Sequence, residues 1–333
     1  MTPSQPQTPA APSLPGPLPP PYVGRLVLLG HPVAHSLSPR FQNAALAATY
    51  ASDDPAARAA RARSLPDDRA LRYEALDVPP DALAATVRAL AAERAAGNVT
   101  VPHKEAFAAL CDRLSSVAAR VGAVNTFWTS PEGALVGDNT DVGGFARAVR
   151  ALLGAEPLDL TIAVLGAGGA AAAALAAMER WPGCRVRVWS RTGPRADALA
   201  ARFAPIARSE RTVAGCVRGA ALVVNATPLG LRVDDPLPVA PERLRRGSAV
   251  LDLVYHPEET AWVRRGRAAG LRASDGLTML LEQGALAFER WFGVAPDRDR
   301  MWDALALPPW RHGAPPAPAP APRSPPPPAE LSR

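Results

Sequence analysis

One residue in this sequence stands out for the chemistry that its type allows. The chain of 333 residues has 37 lysines and arginines, and Lys104 is the one lysine among them. A lysine ammonium can lose its proton when its surroundings lower its pKa, whereas an arginine guanidinium stays protonated. A single lysine in a chain otherwise supplied with arginine therefore predicts that Lys104 exchanges a proton at a catalytic centre.

Asp141 is the candidate partner of this lysine. It ends the run Asn139-Thr140-Asp141, at the point where the chain passes from a first block of strands and helices to a second. A cleft between two domains is expected there, and a carboxylate can orient a lysine and influence its protonation. An aspartate in a loop can equally well cap a helix, so the residues alone leave its pairing with Lys104 open.

A glycine-rich turn in the second block predicts a dinucleotide site. Leu165 ends a predicted strand and is followed by a turn of the G-x-G-x-x-A form before an alanine-rich helix. Gly166 permits the tight turn, Gly168 lets the backbone approach a pyrophosphate, and Ala171 lets the helix pack on the sheet. The residues expected to line this site are Gly166, Ala167, Gly168, Gly169 and Ala170.

The next predicted strand indicates which dinucleotide binds. An NAD site is expected to have an acidic residue near the end of that strand, whereas this one continues Ser190-Arg191-Thr192-Gly193-Pro194-Arg195. Arg191 and Arg195 suit the 2′-phosphate of NADP. Arginines placed by the overall composition would explain the charges but not the missing acid, so NADP is the predicted cofactor. A later strand end, residues 223–230, is either a further ligand-binding turn or a plain turn.

The order of the elements predicts the fold class. Strand and helix patterns alternate, which is typical of α/β proteins with parallel sheets. The predicted strands are residues 25–30, 71–78, 97–101, 123–128, 134–137, 160–166, 185–190, 221–225 and 249–254. The predicted helices are residues 39–50 (with Ser38 as N-cap), 81–96, 114–121, 142–153, 169–180, 194–203, 258–269, 277–291 and 297–307. Residues 52–68 are predicted to form a loop or an insertion, for which the sequence offers no function.

We expect two domains with a cleft between them. An N-terminal α/β substrate-binding domain would comprise residues 22–141 together with 276–308, and a Rossmann-type NADP-binding domain residues 142–275. Residues 1–21 and 309–333 are rich in proline and alanine and are predicted to be disordered tails.

Composition excludes several classes of function. The chain has no apolar run long enough for a transmembrane helix and no secretory leader, so we expect a cytoplasmic protein without a membrane partner. Three widely spaced cysteines predict neither a disulfide framework nor a metal site. The net charge of +6 comes with arginine clusters that lack interleaved aromatic residues, so no nucleic-acid partner is expected.

Several motifs, in order along the chain, resemble those of the shikimate dehydrogenase family. They are GHPVAHSLSP (30–39), NVTVPHK (98–104), GAVNT (122–126), GDNTD (137–141), GAGGA (166–170) and DGL (275–277). The resemblance extends from about Gly24 to about Gly293, nearly the whole predicted folded chain. It implies an enzyme that interconverts 3-dehydroshikimate and shikimate with NADPH and NADP⁺, in chorismate and aromatic amino acid biosynthesis.

The resemblance also implies roles for individual residues. Lys104 and Asp141 would form the catalytic pair, and Ser36 and Ser38 would bind the substrate carboxylate. Further substrate contacts would come from Thr100, Asn125, Tyr255 and Gln283. The cofactor would be bound by the glycine turn (Gly166, Ala167, Gly168, Gly169, Ala170), by Ser190, Arg191, Thr192 and Arg195, and by Thr227 and Gly276. Ser190 departs from the asparagine frequent in the family at that place.

Two alternatives remain open from the sequence. One is a quinate/shikimate dehydrogenase, although paired Ser36 and Ser38 and the absence of an acid near Ser190 favour shikimate and NADP. The other is a dinucleotide-sensing regulatory protein without turnover, which would not need both Lys104 and Asp141. The expected partner is a small-molecule substrate, and the protein is expected to be a monomer or a homodimer.

Overall fold

The computed structural model describes residues 23–64 and 71–307, which form two α/β domains, each around its own six-stranded sheet. Both predicted tails lie outside the described residues. The strands of the first sheet are β1 (Arg25–Gly30), β2 (Tyr73–Asp77), β3 (Ala95–Val99), β4 (Arg113–Leu114), β5 (Thr126–Thr129) and β6 (Leu135–Asp138). Those of the second are β7 (Thr161–Leu165), β8 (Arg185–Trp189), β9 (Ala207–Ser209), β10 (Leu222–Asn225), β11 (Ala249–Asp252) and β12 (Arg272–Ser274).

The first sheet is mixed rather than parallel throughout. Its order is β2-β1-β3-β5-β6-β4, in which β1 runs parallel to β2 and β3, whereas β5 runs antiparallel to β3 and β6. The hairpin between β5 and β6 causes this reversal: the Ser130 backbone N–H donates to the Ala134 carbonyl across 2.8 Å. The prediction of parallel sheets is therefore wrong for this half of the first sheet.

The second sheet is parallel throughout and has the Rossmann strand order. Reading across it gives β12-β11-β10-β7-β8-β9, so the chain winds outward from the middle strand β7 first in one direction and then in the other. Ligands bind at the carboxyl ends of such strands, beside the point where the winding reverses. The predicted fold class is confirmed. β9 and β12 escaped prediction because three residues are too few to show a hydrophobic period.

The helices pack on both faces of the two sheets. They are α1 (Ser38–Ala51), α2 (Pro55–Ser64), α3 (Leu83–Ala92), α4 (Lys104–Ala108), α5 (Ser116–Val121), α6 (Asp141–Leu153), α7 (Gly169–Met178), α8 (Gly193–Arg202), α9 (Val213–Val217), α10 (Ala261–Ala268), α11 (Leu277–Phe292) and α12 (Arg298–Asp303). None of the helices in the described ranges combines the length and the apolar character needed to span a bilayer.

Three predictions about helix ends are wrong, and one of them is the helix predicted over residues 297–307, which ends at Asp303. The helix predicted to reach residue 96 ends at Ala92, because Arg94 adopts a left-handed conformation (φ +52°) and β3 begins at Ala95. Ser38 is not an N-cap but the first residue of α1, and its side chain makes no capping hydrogen bond. Instead, its backbone N–H donates to the hydroxyl of Ser36 across 3.2 Å.

The segment predicted as a loop or an insertion contains helix α2, so a plain loop is wrong. Ala57 and Ala60 are buried on one side of this helix, and α2 packs against α1 and α11. The Arg61 guanidinium donates to the carbonyls of Tyr50 (2.5 Å) and Ser52 (2.8 Å), where α1 ends and its carbonyls lack helical partners. Residues 65–68 of this segment lie outside the described residues.

Helices α6 and α11 connect the two domains and pack directly on each other. A Cβ on Gly144 would lie 2.8 Å from the Cβ of Gln283, and one on Gly143 would lie 2.5 Å from the Leu286 Cδ1. At position 144, where the neighbours are the backbone atoms Gln283 N and Met279 O at 2.9 Å, glycine allows an approach that other residues would prevent, whereas at position 143 the flexible end of Leu286 could move aside. This contact fixes the start of α6, which carries Asp141, against the middle of α11.

Candidate active site

Lys104 and Asp141 lie at the first positions of α4 and α6 and form an ion pair. The Lys104 ammonium donates to Asp141 Oδ2 across 2.6 Å. The aspartate side chain is 7% exposed, whereas that of the lysine is 23% exposed, so solvent or a ligand can reach the lysine more readily. A half-buried lysine held by a buried carboxylate is well placed to exchange a proton with a bound hydroxyl or carbonyl group.

The backbone on either side of Lys104 is held in place by buried neighbours. The preceding residue, His103, is buried, and its Nε2 lies 2.6 Å from the Val78 carbonyl. The Lys104 carbonyl accepts a hydrogen bond from the Val124 N–H at 2.9 Å. The histidine thus serves a structural role beside the lysine, as its buried contact with a main-chain carbonyl indicates.

The Asn125 amide joins Asp141 to Gln283. Its Nδ2 lies 2.9 Å from Asp141 Oδ1 and 3.0 Å from Gln283 Oε1, and its Oδ1 accepts from the Thr140 N–H at 2.7 Å. The two carboxylate oxygens of Asp141 therefore accept from different residues, Lys104 and Asn125. We call Lys104, Asp141, Asn125 and Gln283 the catalytic network, after the role predicted for the Lys104–Asp141 pair from the sequence. Thr140, which sequence reasoning did not single out, fixes the orientation of the Asn125 amide.

Ser36, Ser38 and Thr100 follow the carboxyl ends of β1 and β3. These strands are adjacent, and a Cβ on Gly30 would lie 2.4 Å from the Thr100 Cγ2, so the two strand ends approach closely. Within the described chain, the hydroxyl groups of Ser38 and Thr100 have no hydrogen-bond partner, and the Ser36 hydroxyl accepts one bond without donating one. These hydroxyls are free to donate to an anionic or hydroxylated ligand.

Tyr255 and Gly276 lie at the carboxyl edge of the second sheet, after β11 and β12. Burial raises the pKa of the Tyr255 phenol. A Cβ on Gly276 would lie 2.4 Å from the Leu253 carbonyl oxygen, so this position accepts no larger residue. No hydrogen bond joins Tyr255 to the catalytic network among the described residues, and its predicted substrate contact remains a prediction.

The glycine turn between β7 and α7 has the geometry that a pyrophosphate site requires. Gly166 adopts φ +119°, and a Cβ there would lie 2.5 Å from the Ala226 carbonyl. A Cβ on Gly168 or Gly169 would meet no atom within 4 Å, so the space above the start of α7 is open. Exposed backbone N–H groups and the helix dipole favour an anion there, and the turn therefore fits a dinucleotide.

Strand β8, which lies beside this turn, is followed by two arginines without partners in the described chain. Arg191 and Arg195 are exposed, and neither guanidinium has a hydrogen-bond or ion-pair partner among the described residues. The Ser190 hydroxyl accepts from the Thr192 N–H at 3.3 Å, and Thr192 is the N-cap residue of α8. Two unpaired guanidinium groups at a helix start suit a phosphate monoester.

Thr227 takes part in a compact polar turn after β10. Its hydroxyl donates to Asn225 Oδ1 at 2.6 Å and accepts from the Leu229 N–H at 3.2 Å. The Asn225 amide in turn donates to Asp252 Oδ1 at 2.7 Å. Thr227 is thus occupied within its own turn, and that turn lies at the ligand-binding edge of the sheet.

Asp252 is a buried carboxylate that sequence reasoning missed. It accepts hydrogen bonds from the Asn225 amide, the Thr260 hydroxyl (2.8 Å) and the Val254 N–H (3.1 Å). Burial raises the pKa of Asp252 to about 6 despite these donors. The sequence signal that could have identified Asp252 is that two apolar strands both end in a polar residue, Asn225 in β10 and Asp252 in β11. The structure pairs these two residues in register.

A Rossmann-order domain with a pyrophosphate turn, joined to a second domain with a lysine–aspartate pair, defines the class of dinucleotide-dependent oxidoreductases. Comparison with known proteins narrows this class. Residues 55–127 match the model of the shikimate dehydrogenase substrate binding domain, and residues 276–306 match that of the shikimate 5′-dehydrogenase C-terminal domain. The chain is 43% identical over 286 residues to a shikimate dehydrogenase (NADP⁺) from Rubrobacter xylanophilus, covering 84% of this chain and 94% of the relative.

Solved structures agree with this relationship. The crystal structure of shikimate 5-dehydrogenase from Thermus thermophilus, in complex with NADP(H) and shikimate, is 40% identical with a TM-score of 0.71, covering 85% of this chain and 98% of that one. Quinate dehydrogenase from Corynebacterium glutamicum in complex with NAD is 28% identical with a TM-score of 0.73, covering 86% and 99%. The chain belongs to the shikimate dehydrogenase family.

Proposed function

We infer that this protein is an NADP-dependent oxidoreductase that interconverts 3-dehydroshikimate and shikimate, a step of chorismate and aromatic amino acid biosynthesis. The observation that carries this function is the Lys104–Asp141 ion pair, 2.6 Å long, in a chain that belongs to the shikimate dehydrogenase family. A regulatory protein that only senses a dinucleotide would not need a titratable lysine held in this way.

Lys104 moves the proton in this reaction. The nicotinamide of bound NADP supplies or accepts the hydride. During reduction Lys104 gives a proton to the developing alkoxide, and during oxidation it takes a proton from the substrate hydroxyl. Asp141 holds the ammonium through Oδ2, while the Asn125 amide holds Oδ1, so the carboxylate cannot rotate away from the lysine.

The remaining substrate contacts surround this pair. Ser36 and Ser38 donate to the substrate carboxylate, and Ser38 does so in addition to starting helix α1. The substrate hydroxyl groups are bound by Thr100, Asn125, Gln283 and Tyr255. Asn125 and Gln283 are already hydrogen-bonded to each other, so their orientation is fixed before substrate arrives.

The cofactor would lie along the carboxyl edge of the second sheet. Its pyrophosphate would be bound by Gly166, Ala167, Gly168, Gly169 and Ala170, and Thr227 and Gly276 would provide further cofactor contacts. Ser190, Arg191, Thr192 and Arg195 bind the adenosine 2′-phosphate. The support for this placement is the open space above Gly168 and Gly169 together with the two unpaired guanidinium groups.

We propose that residues 22–141 and 276–308 form the substrate-binding domain and residues 142–275 the NADP-binding domain. The protein then acts in the cytoplasm on a small-molecule substrate as a monomer or a homodimer, without a nucleic-acid or membrane partner. These boundaries are supported by helices α6 and α11, which begin where the chain passes from one domain to the other and pack directly on each other.

Substrate and cofactor preference can be tested by one kinetic panel. We expect kcat/KM to be highest for shikimate with NADP⁺ when shikimate and quinate are each assayed with NADP⁺ and NAD⁺. The preference for NADP⁺ over NAD⁺ is expected because the Arg191 and Arg195 guanidinium groups favour the 2′-phosphate. Faster oxidation of quinate with NAD⁺ would instead identify a quinate dehydrogenase and contradict the proposed function.

Arg191→Ala is expected to raise the KM for NADP⁺ by roughly 10-fold to 100-fold, with a much smaller effect on that for NAD⁺. The variant removes an unpaired, exposed guanidinium, so it should leave the fold intact. Steady-state kinetics with both cofactors measure the effect, and Arg72→Ala, an exposed arginine in the other domain, is a matched control. Equal losses with both cofactors would argue against the phosphate assignment.

A further inference from the structure

We infer that Arg211 is a third guanidinium that binds the 2′-phosphate and so contributes to the choice of NADP over NAD. This inference rests on the proposed NADP dependence and adds a residue that neither the glycine turn nor the strand end of β8 contains. It starts from the edge strand β9, which lies beside β8. Ser209 pairs with Val188 in register, and the Glu210 N–H donates to the Val188 carbonyl at 2.8 Å.

This register places Arg211 beside the phosphate-binding segment. Counting two residues on from the pair Val188 and Ser209 brings Arg211 level with Ser190, where β8 has already ended. Both residues therefore lie at the carboxyl edge of the sheet, the edge that carries the glycine turn. Arg211, although remote in sequence, therefore lies opposite Ser190, the residue before Arg191.

The Arg211 side chain extends towards the start of helix α8. Its Nη1 lies 3.9 Å from the position that a Cβ on Gly193 would occupy, and Gly193 is the first residue of α8. Arg191 and Arg195 lie on either side of Gly193 in the chain. All three arginines thus belong to the surroundings of one helix start, two by chain position and Arg211 by contact, and the backbone N–H groups there also attract a phosphate.

Asp197 holds Arg211 in this place. Its Oδ2 accepts from Arg211 Nη1 at 3.2 Å, and its Oδ1 accepts from the Ser209 hydroxyl at 2.5 Å. The Ser209 hydroxyl, and to a smaller extent the Arg211 guanidinium, lower the pKa of Asp197, which therefore stays ionised. The Arg211 side chain is 80% exposed, so its ion pair with Asp197 contributes little to stability. Weakening that ion pair to bind a doubly charged phosphate therefore costs little free energy.

Arg208, in strand β9 just before Arg211, provides a matched control. It is also an exposed arginine with one ion pair, but its partner is Glu210 at 3.1 Å rather than a residue of α8. Removing either arginine changes the charge of this surface by the same amount. A difference between the two variants therefore reports on position and not on net charge.

Dissociation constants measured by isothermal titration calorimetry on the full chain test the inference. Arg211→Ala should weaken binding of NADP⁺ and of adenosine 2′,5′-bisphosphate by about 5-fold to 20-fold, with less than about a 2-fold change for NAD⁺. Arg208→Ala should change none of the three by more than about 2-fold, because its ion pair is exposed and directed elsewhere. Arg211→Lys, which keeps the charge without the planar fork, should give an intermediate loss.

Three results would overturn the role of Arg211: unchanged binding in Arg211→Ala, equal weakening of NADP⁺ and NAD⁺, or the same loss in Arg208→Ala. Failure of the proposed cofactor gives a different pattern, in which the unaltered protein binds NAD⁺ as tightly as NADP⁺. If the unaltered protein prefers NADP⁺ and Arg191→Ala abolishes that preference while Arg211→Ala does not, the proposed function stands and Arg211 alone is rejected.

Discussion

Lys104→Arg is expected to lower kcat by roughly 10²-fold to 10⁴-fold, about 3–5 kcal/mol of transition-state stabilisation, with little change in the KM for shikimate. Arginine keeps the positive charge and can still pair with Asp141. It cannot release a proton at any pH at which the protein is folded. Lysine and arginine therefore differ here in proton transfer far more than in binding.

Steady-state kinetics over a range of pH, with shikimate and NADP⁺ each varied, measure this effect. Arg113→Lys serves as a control for a lysine–arginine exchange in the same domain. Arg113 is half-buried and contacts Ser130 and Glu132, outside the catalytic network. The control should retain kcat within about 2-fold, since surface polar contacts contribute little. A Lys104→Arg enzyme with near-normal kcat would show that the residue serves only as a hydrogen-bonding cation.

The second large effect concerns stability and pH at Asp252. Burial raises the pKa of this carboxyl to about 6 in the folded protein, from an ordinary value of 3.8. The folded chain therefore holds the proton more tightly than the unfolded chain does. The free energy of unfolding should fall as the pH rises from about 4 to about 6, by up to about 3 kcal/mol from this group, and should then level off.

Asp252→Asn isolates this contribution, because it resembles the protonated acid and cannot ionise. The amide oxygen can still accept from Asn225 and Val254, and the Thr260 hydroxyl can turn from donor to acceptor. Relative to the unaltered protein, the variant should gain up to about 3 kcal/mol between about pH 4 and about pH 7.

Urea unfolding at several pH values, followed by tryptophan fluorescence, measures the difference. Asp53→Asn, at a side chain that is 95% exposed, should show no such pH-dependent gain. Parallel stability curves for Asp252→Asn and the unaltered protein would contradict a raised pKa.

Local pattern was enough to predict β7, β8, β10 and β11 of the Rossmann-type half. β7, β10 and β11 are buried runs, and the turn at Gly166 requires a positive φ that glycine readily adopts, so the pattern and the backbone agree. The N-terminal half was harder, because its sheet is mixed and because α2 is rich in arginine and lacks an apolar stripe. Ser38 lies inside α1 and its backbone N–H donates to the Ser36 hydroxyl, a contact that no helix propensity predicts.

At the candidate active site, long-range contacts limit how much can be predicted from the sequence. Lys104 and Asp141 are 37 residues apart, and Asn125 is 158 residues from Gln283, so their pairing depends on how the sheets assemble. The lysine was identifiable by its type, and its partner only through the family resemblance. Arg211 and Asp252 were missed for a related reason: the first follows a three-residue strand, and the second is a single acid at the end of an apolar one.

The glycine contact between α6 and α11 has a mechanical consequence. Asp141 begins one of these helices and Gln283 lies in the other, and Gly144 allows their backbones to touch. A slide of one helix along the other would separate Asp141 from Gln283. The contact that joins the two halves of the chain therefore also keeps the carboxylate and the amide of the catalytic network at a fixed spacing.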